Sequence, residues 1–132
     1  MPDFRIVTDT FAVSPQISVA EVAEAAGQGF TLIINNRPDA EVPGQPTTAE
    51  IAAATRSAGM RYVWIPIVGR PTPEQAAAVA AAAAGDAKAL AFCRSGTRSI
   101  TAWAMGRAAG GADRGDLMRR GAAAGYDLSW LA

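Results

Sequence analysis

Apolar positions along this chain fall into two alternating patterns. "FTLII" (Phe30 to Ile34), "RYVWIPI" (Arg61 to Ile67) and "ALAFC" (Ala89 to Cys93) are short, nearly unbroken apolar runs. Runs of this length without strict alternation predict strands covered on both faces, as in a parallel sheet between helices. "FRIV" and "TFAV" near the start predict a further strand or hairpin. Between the runs lie longer alanine-rich stretches, each opened by the same signal. "SVAE" (Ser18 to Glu21), "TTAE" (Thr47 to Glu50) and "TPEQ" (Thr72 to Gln75) place a hydroxyl three residues before Glu or Gln, the reciprocal capping box. The third adds Pro73 at the first helical position, where the missing N–H costs nothing.

These starts predict helices over Val19 to Ala26, Thr48 to Ala58 and Pro73 to Ala84, with Gly27, Gly59 and Gly85 expected just past their ends. A fourth is expected from about Ser99 to Ala109, a break at Gly110 and Gly111, and a last helix from Asp113 to Ala124. Strands alternating with helices imply an α/β fold of three layers, with a mostly parallel central sheet flanked by helices. A length of 132 residues suits one domain, expected over residues 1–132.

Composition narrows the chemistry. Apolar residues are 50% of the chain and charged residues 18%, with twelve basic side chains balancing twelve acidic ones. No charge excess points to nucleic acid or an anionic membrane, so neither partner is expected. The first ten residues lack a basic segment followed by an apolar one, and the longest apolar run, Ala76 to Ala84, is far too short to span a bilayer. A cytoplasmic protein is the expectation, and one cysteine agrees because it forms no internal disulfide. The chain has no histidine, which excludes Ser-His-Asp and Cys-His catalysis and any His-ligated metal. Neither a metal nor a cofactor is expected.

The stretch "AFCRSGTRSITAW" carries the candidate chemistry. Cys93 ends an apolar strand, at the sheet edge where strand-to-helix loops expose backbone N–H groups to anions. Gly96 permits a tight or left-handed turn, and Ser95, Thr97 and Ser99 are small enough to leave the amides accessible, which makes a backbone nest for an oxyanion. Such a nest also stabilises a thiolate, giving a nucleophile at neutral pH without histidine. Arg98, with a planar fork that can donate two parallel hydrogen bonds, is the candidate for the substrate's charged oxygens. Arg94 is expected in the loop or in solvent, and Ser99 either donates to the sulfur or caps the following helix. The bland alternative is a buried filler cysteine, the usual fate of a free thiol; the loop and helix start that follow favour the anion-binding reading.

A second loop, "INNRPDAEVPGQP", follows a strand and places Asn35, Asn36 and Arg37 at the same edge. Asn35 and Asn36 read as turn architecture. Arg37 and Asp39 are candidate cleft residues, with Asp39 and Glu41 available as distant acids. Trp64, Trp103 and Trp130 read as packing residues, and Arg107, Arg114, Arg119 and Arg120 as a solvated helical face.

From "RIVTDTFAVSPQIS" through "TLIINNRPDAEVPGQP", "YVWIPI" and "FCRSGTRS", over about residues 4 to 109, the chain resembles the bacterial family known as the phosphatase-like domain of beta-lactamase hydrolase-like proteins. The resemblance implies a dual-specificity-phosphatase-like fold with the cysteine loop as active site, and a small oxyanion-bearing substrate. It does not imply beta-lactamase chemistry, which needs a serine-lysine motif or a metal centre. Two departures from the phosphatase pattern stand out. Cysteine phosphatases keep five residues between cysteine and arginine, whereas Cys93 to Arg98 leaves four, with Ser99 where that arginine would stand; rhodanese-type sulfurtransferases resemble the shorter spacing. Phosphatases also supply an aspartic general acid from a loop after the strand preceding the cysteine strand, and the matching stretch "PIVGRPTPEQ" has no Asp. Phosphoryl transfer is the first expectation, sulfur transfer the second, and a non-catalytic anion- or partner-binding module the third.

Overall fold

A computed structural model describes residues 2–132. The chain opens with a hairpin, β1 (Arg5–Thr8) antiparallel to β2 (Phe11–Ser14), and proceeds through α1 (Val19–Gly27), β3 (Leu32–Asn35), α2 (Thr48–Ser57), β4 (Arg61–Trp64), α3 (Pro73–Ala82) and β5 (Ala89–Phe92). It closes with α4 (Thr97–Ala109), α5 (Arg114–Ala123) and a short 3-10 turn at Ser129–Leu131. The expected three-layer α/β architecture is what forms, with five strands in the order β1-β2-β5-β3-β4. The last strand in sequence therefore lies at the centre, parallel to β2 and β3.

Alternation within β5 decides how the layers stack. Ala89 and Ala91 face one side, where their small size admits Ile100 and Trp103 of α4, backed by Val79 of α3 and Leu117 of α5. Leu90 and Phe92 face the other side, against Val22 and Ala25 of α1 and Ile51 of α2. Trp103 is buried and stacks on Phe11 with ring centroids 4.9 Å apart, a contact of about 0.5–1.5 kcal/mol beyond area burial.

All three capping boxes form: the hydroxyls of Ser18, Thr47 and Thr72 accept from the N–H groups of Glu21, Glu50 and Gln75, whose side chains accept from the cap backbone in return. The helix ends are less regular. Gly59 takes the left-handed turn after α2 as expected, but after α1 this falls to Gly29 (φ 91), with Gly27 inside the helix. β4 departs from the expectation of a strand buried on both faces. It is an edge strand, and Trp64 at its end is 42% exposed, donating its indole N–H to the Arg37 carbonyl. Among the described residues, no helix is long and apolar enough to cross a membrane.

The register sets the functional edge. Ser14, Phe92, Asn35 and Trp64 are mutually aligned last residues of four parallel neighbours. The loops that leave them converge at one rim.

Candidate functional site

Cys93 follows the last residue of β5 and is fully buried. The backbone N–H of Gly96 donates to its sulfur at 3.1 Å. Gly96 makes this possible with φ 92, a left-handed conformation costly to any residue with a Cβ. It is also the N-cap of α4, which begins at Thr97, two residues earlier than expected. No cap side chain closes this helix start, so its positive end opens on the loop. Ser95 and Thr97 are exposed, with hydroxyl oxygens 3.0 Å apart. Arg94 is exposed and its carbonyl is fixed by the Gln16 N–H at 3.2 Å.

Ser99 differs from both of its expected roles. It lies in the first turn of α4 rather than at its cap, and its hydroxyl is buried without a hydrogen-bond partner. The other buried side-chain atom without a partner among the described residues is Asn36 Oδ1, on the residue that follows β3 and donates its Nδ2 to the Ile65 carbonyl at 3.0 Å. Unpaired buried polar groups are rare enough to mark a site.

Arg98 is anchored by two acceptors. Its Nη1 donates to Glu41 Oε2 and to the Ile67 carbonyl, both at 2.8 Å, and its Nη2 donates to Glu41 Oε1 at 2.9 Å. Glu41 thus occupies the end-on fork of the guanidinium. Nε–H and the second Nη2–H, which form the side-on fork, have no partner among the described residues. The Glu41 carboxylate holds Arg98 above its ordinary pKa against burial, and the nearby Cys93 sulfur raises it further, although no Arg98 N–H is aligned on that sulfur.

Glu41 also accepts from Arg37 Nε at 2.8 Å, so one carboxylate joins two arginines. Arg98 first and then Arg37 pull the Glu41 pKa down to about 2, against the opposing effect of burial. Glu41 therefore has no proton to offer at neutral pH, and the expectation of a substitute acid fails for it. Asp39 is exposed and accepts from the Thr48 N–H at 2.8 Å, closing the first turn of α2 rather than facing the sulfur. Arg37 is buried and donates its second nitrogen to Gln16 Oε1 at 3.0 Å; it braces the site from beneath. Ala40, immediately before Glu41, has φ 59 and is the one non-glycine residue with positive φ among the described residues. Backbone strain of this kind collects at functional sites.

Three participants escaped the sequence reading. Glu41 was visible only as a distant acid, Gln16 and Tyr126 not at all. The Tyr126 hydroxyl donates to the Ser95 carbonyl at 2.8 Å, and a Cβ built on Gly96 would collide with that hydroxyl. Tyr126 lies 33 residues beyond Cys93 (126 − 93) and carries no local motif.

Comparison with known proteins bears on the family and the fold. The family model described as "Beta-lactamase hydrolase-like protein, phosphatase-like domain" matches residues 3–110. Beta-lactamase hydrolase-like proteins of Agrobacterium fabrum and Xylella fastidiosa are 35% and 33% identical, over 92% and 95% of this chain. The chain spans only 29% and 31% of those relatives' length. A Neisseria meningitidis protein provisionally assigned as a phosphatase has a similar structure, with TM-score 0.85 and 28% identity over 99% of this chain and 94% of its own. TpbA of P. aeruginosa, solved with a cysteine-to-serine change in complex with phosphotyrosine, shares the fold at TM-score 0.66 and 17% identity, covering 94% and 75% of the two chains.

Proposed function

For a chain that belongs to the phosphatase-like domain family of beta-lactamase hydrolase-like proteins, we propose a cysteine-dependent phosphatase that cleaves a phosphate ester through a covalent phosphocysteine. Residues 1–132 act in this reading as one phosphatase-like domain. The observation that carries it is the Gly96 N–H donated to Cys93 Sγ at 3.1 Å, in a loop that opens a helix. A backbone donor aimed at sulfur in a low-dielectric site favours the thiolate, the reactive form.

The thiolate attacks phosphorus, and the S–P bond forms as the ester P–O bond breaks; the leaving oxygen takes its proton from solvent. Water then attacks the phosphocysteine, the S–P bond breaks, and phosphate departs with the thiolate regenerated. The side-on fork of Arg98 and the amides of Arg94, Ser95 and Ser99 hold the equatorial oxygens, while the Gly96 N–H stays on the sulfur and the Thr97 N–H on Ser95 Oγ. With Glu41 ionised and hydrogen-bonded, the leaving group departs without a carboxylic acid, a deficit typically worth ~10²- to 10⁴-fold in rate. Aryl phosphates, whose leaving groups need little protonation, are therefore the favoured substrates.

The test is release of nitrophenol from p-nitrophenyl phosphate by wild type and Cys93→Ser, with acid-quenched intact mass to catch the phosphocysteine. Release and adduct are expected with wild type only; equal release from both proteins overturns the reading.

The four-residue span between Cys93 and Arg98 supports a second reading. Here the thiolate takes the sulfane sulfur of thiosulfate, releasing sulfite, and the Cys93 persulfide passes that sulfur to cyanide or a thiol. One added sulfur on wild type after thiosulfate treatment is its signature, and absence of the adduct removes it. Phosphate binding with neither reaction would leave the chain as an anion-binding module.

A further inference from the structure

The Tyr126 hydroxyl and the Cys93 sulfur lie at opposite ends of a single peptide unit. Tyr126 Oη donates to the Ser95 carbonyl at 2.8 Å, and the N–H of that same peptide bond, belonging to Gly96, donates to Cys93 Sγ at 3.1 Å. No peptide bond among the described residues is cis, so carbonyl and N–H point in opposite directions across one rigid plane. We infer that Tyr126 is a positioning residue for the nucleophile: its hydroxyl fixes and polarises the Ser95–Gly96 peptide so that the N–H stays aimed at the sulfur. The inference deepens the reading of Cys93 as a reactive thiolate and rests on it.

Two further observations fit the role. The plane is otherwise easy to rotate, because Gly96 has φ 92 and no side chain to hold it. A flip would turn the Ser95 carbonyl toward the sulfur and present an acceptor to a thiolate, the reverse of what a nucleophile needs. Tyr126 blocks this by holding the carbonyl, and it fills the space where a Gly96 side chain would lie. Tyr126 is in turn held. It is 9% exposed, Arg5 lies 5.1 Å from its ring centroid, and Arg5 is tied to Asp3 at 3.1 Å. Hydrogen bonds in series strengthen one another, so a donor on the carbonyl makes the distal N–H a better donor.

The test compares wild type with Tyr126→Phe, which removes the hydroxyl and keeps the ring, by following iodoacetamide alkylation of Cys93 by intact mass from pH 5 to 10. Loss of a polarising bond is expected to slow alkylation at neutral pH by about three- to tenfold and to shift the profile toward alkaline pH, with the two rates converging at high pH. The Gly96 amide proton, read by NMR, is expected to move upfield, and an unchanged thermal unfolding midpoint within a few degrees would mark the variant as folded. A pH profile and Gly96 resonance that match wild type overturn the inference. So does a rate altered equally at every pH, which a merely looser loop would give. None of these readouts uses phosphate release: a shifted alkylation profile with no phosphatase activity in either protein would uphold Tyr126 and remove the phosphatase reading.

Discussion

The cysteine loop is fastened at its two ends by opposite chemistry. At the sulfur end the hydrogen bonds run through neutral groups: a tyrosine hydroxyl, a carbonyl and an amide in series. At the arginine end the contacts are ionic, with Glu41 between Arg98 and Arg37. The neutral end uses backbone geometry, which fixes direction and responds weakly to salt or acid. The ionic end fixes a charge by another charge, so it is strong where burial excludes water and sensitive wherever one partner is removed. If the loop presents both a thiolate and a cation, as the proposed phosphatase reading requires, it gains from this division, because a second carboxylate near the sulfur would oppose the thiolate.

The largest break in the comparison is Arg98→Lys. Lysine keeps the charge but loses both forks, the end-on pair held by Glu41 and the side-on pair left for an oxyanion. A loss of ~10²- to 10³-fold in kcat/KM on aryl phosphate is expected, the scale of removing a preorganised oxyanion donor. An unchanged kcat/KM would show that Arg98 serves only as scaffold.

Glu41→Gln comes next. Arg98 would keep the Ile67 carbonyl and one weaker acceptor, while Arg37, 4% exposed at its side chain, would lose its counterion. Removing one partner of a buried pair costs about 3–5 kcal/mol, and because Glu41 is itself 26% exposed a value of about 2 kcal/mol is expected here. The measurement is chemical denaturation of both proteins, alongside kcat/KM, which should fall by about tenfold as Arg98 loses its fixed orientation. A stability change near zero would mean that the ionic end contributes no more than a surface pair.

Acid separates the two ends without mutation. The folded-state pKa of Glu41 is lowered from 4.5 to about 2, so its contribution is present above pH 4.5 and is lost as pH falls from there through about 2. Tyr126 is pushed up by burial and keeps its proton throughout this window, so its bond to the Ser95 carbonyl is not lost by titration there. Wild type should lose more stability between pH 4.5 and 2 than Glu41→Gln, and denaturant midpoints across that window decide it; parallel curves would remove the ionic end as the acid-sensitive one.

What could be read from sequence followed the same division between local and distant contacts. The capping boxes at Ser18, Thr47 and Thr72, the buried "ALAF" strand and the Cys93 to Ser99 loop are patterns within a few residues, set by backbone hydrogen bonding and side-chain period. They gave the layers and the location of the candidate site. The order of the sheet, with β5 inserted between β2 and β3, depends on packing across the whole chain. Glu41 looked like an acid because its spacing says nothing about the two arginines that fold against it, one of them 57 residues away. Tyr126 was invisible for the same reason: its partner is a backbone carbonyl 31 residues distant. Ser99 was misread because the cap falls three residues earlier on Gly96, whose left-handed turn was legible from its residue type but whose place at the helix start was not.

The smallest effect is expected at Ala40, and it sharpens the account of how Glu41 is held. With φ 59, Ala40 carries the turn that brings Glu41 back toward the arginines. A left-handed residue with a Cβ costs roughly 1–2 kcal/mol, which Ala40→Gly relieves, while glycine adds backbone freedom to the unfolded chain and returns about 0.5–1 kcal/mol of that gain. The net change should be stabilising by about 0.5 kcal/mol, read as a rise of roughly two degrees in the unfolding midpoint. Activity discriminates between two ways of fixing the carboxylate. If Arg37 and Arg98 grip Glu41 by themselves, loosening the turn leaves kcat/KM within about twofold of wild type, since three hydrogen bonds of 2.8 to 2.9 Å still define its place. If instead the stiff turn delivers Glu41 to the arginines, Ala40→Gly should lower kcat/KM as far as Glu41→Gln does while leaving stability unharmed, and the ionic end would then depend on backbone geometry as much as the neutral end.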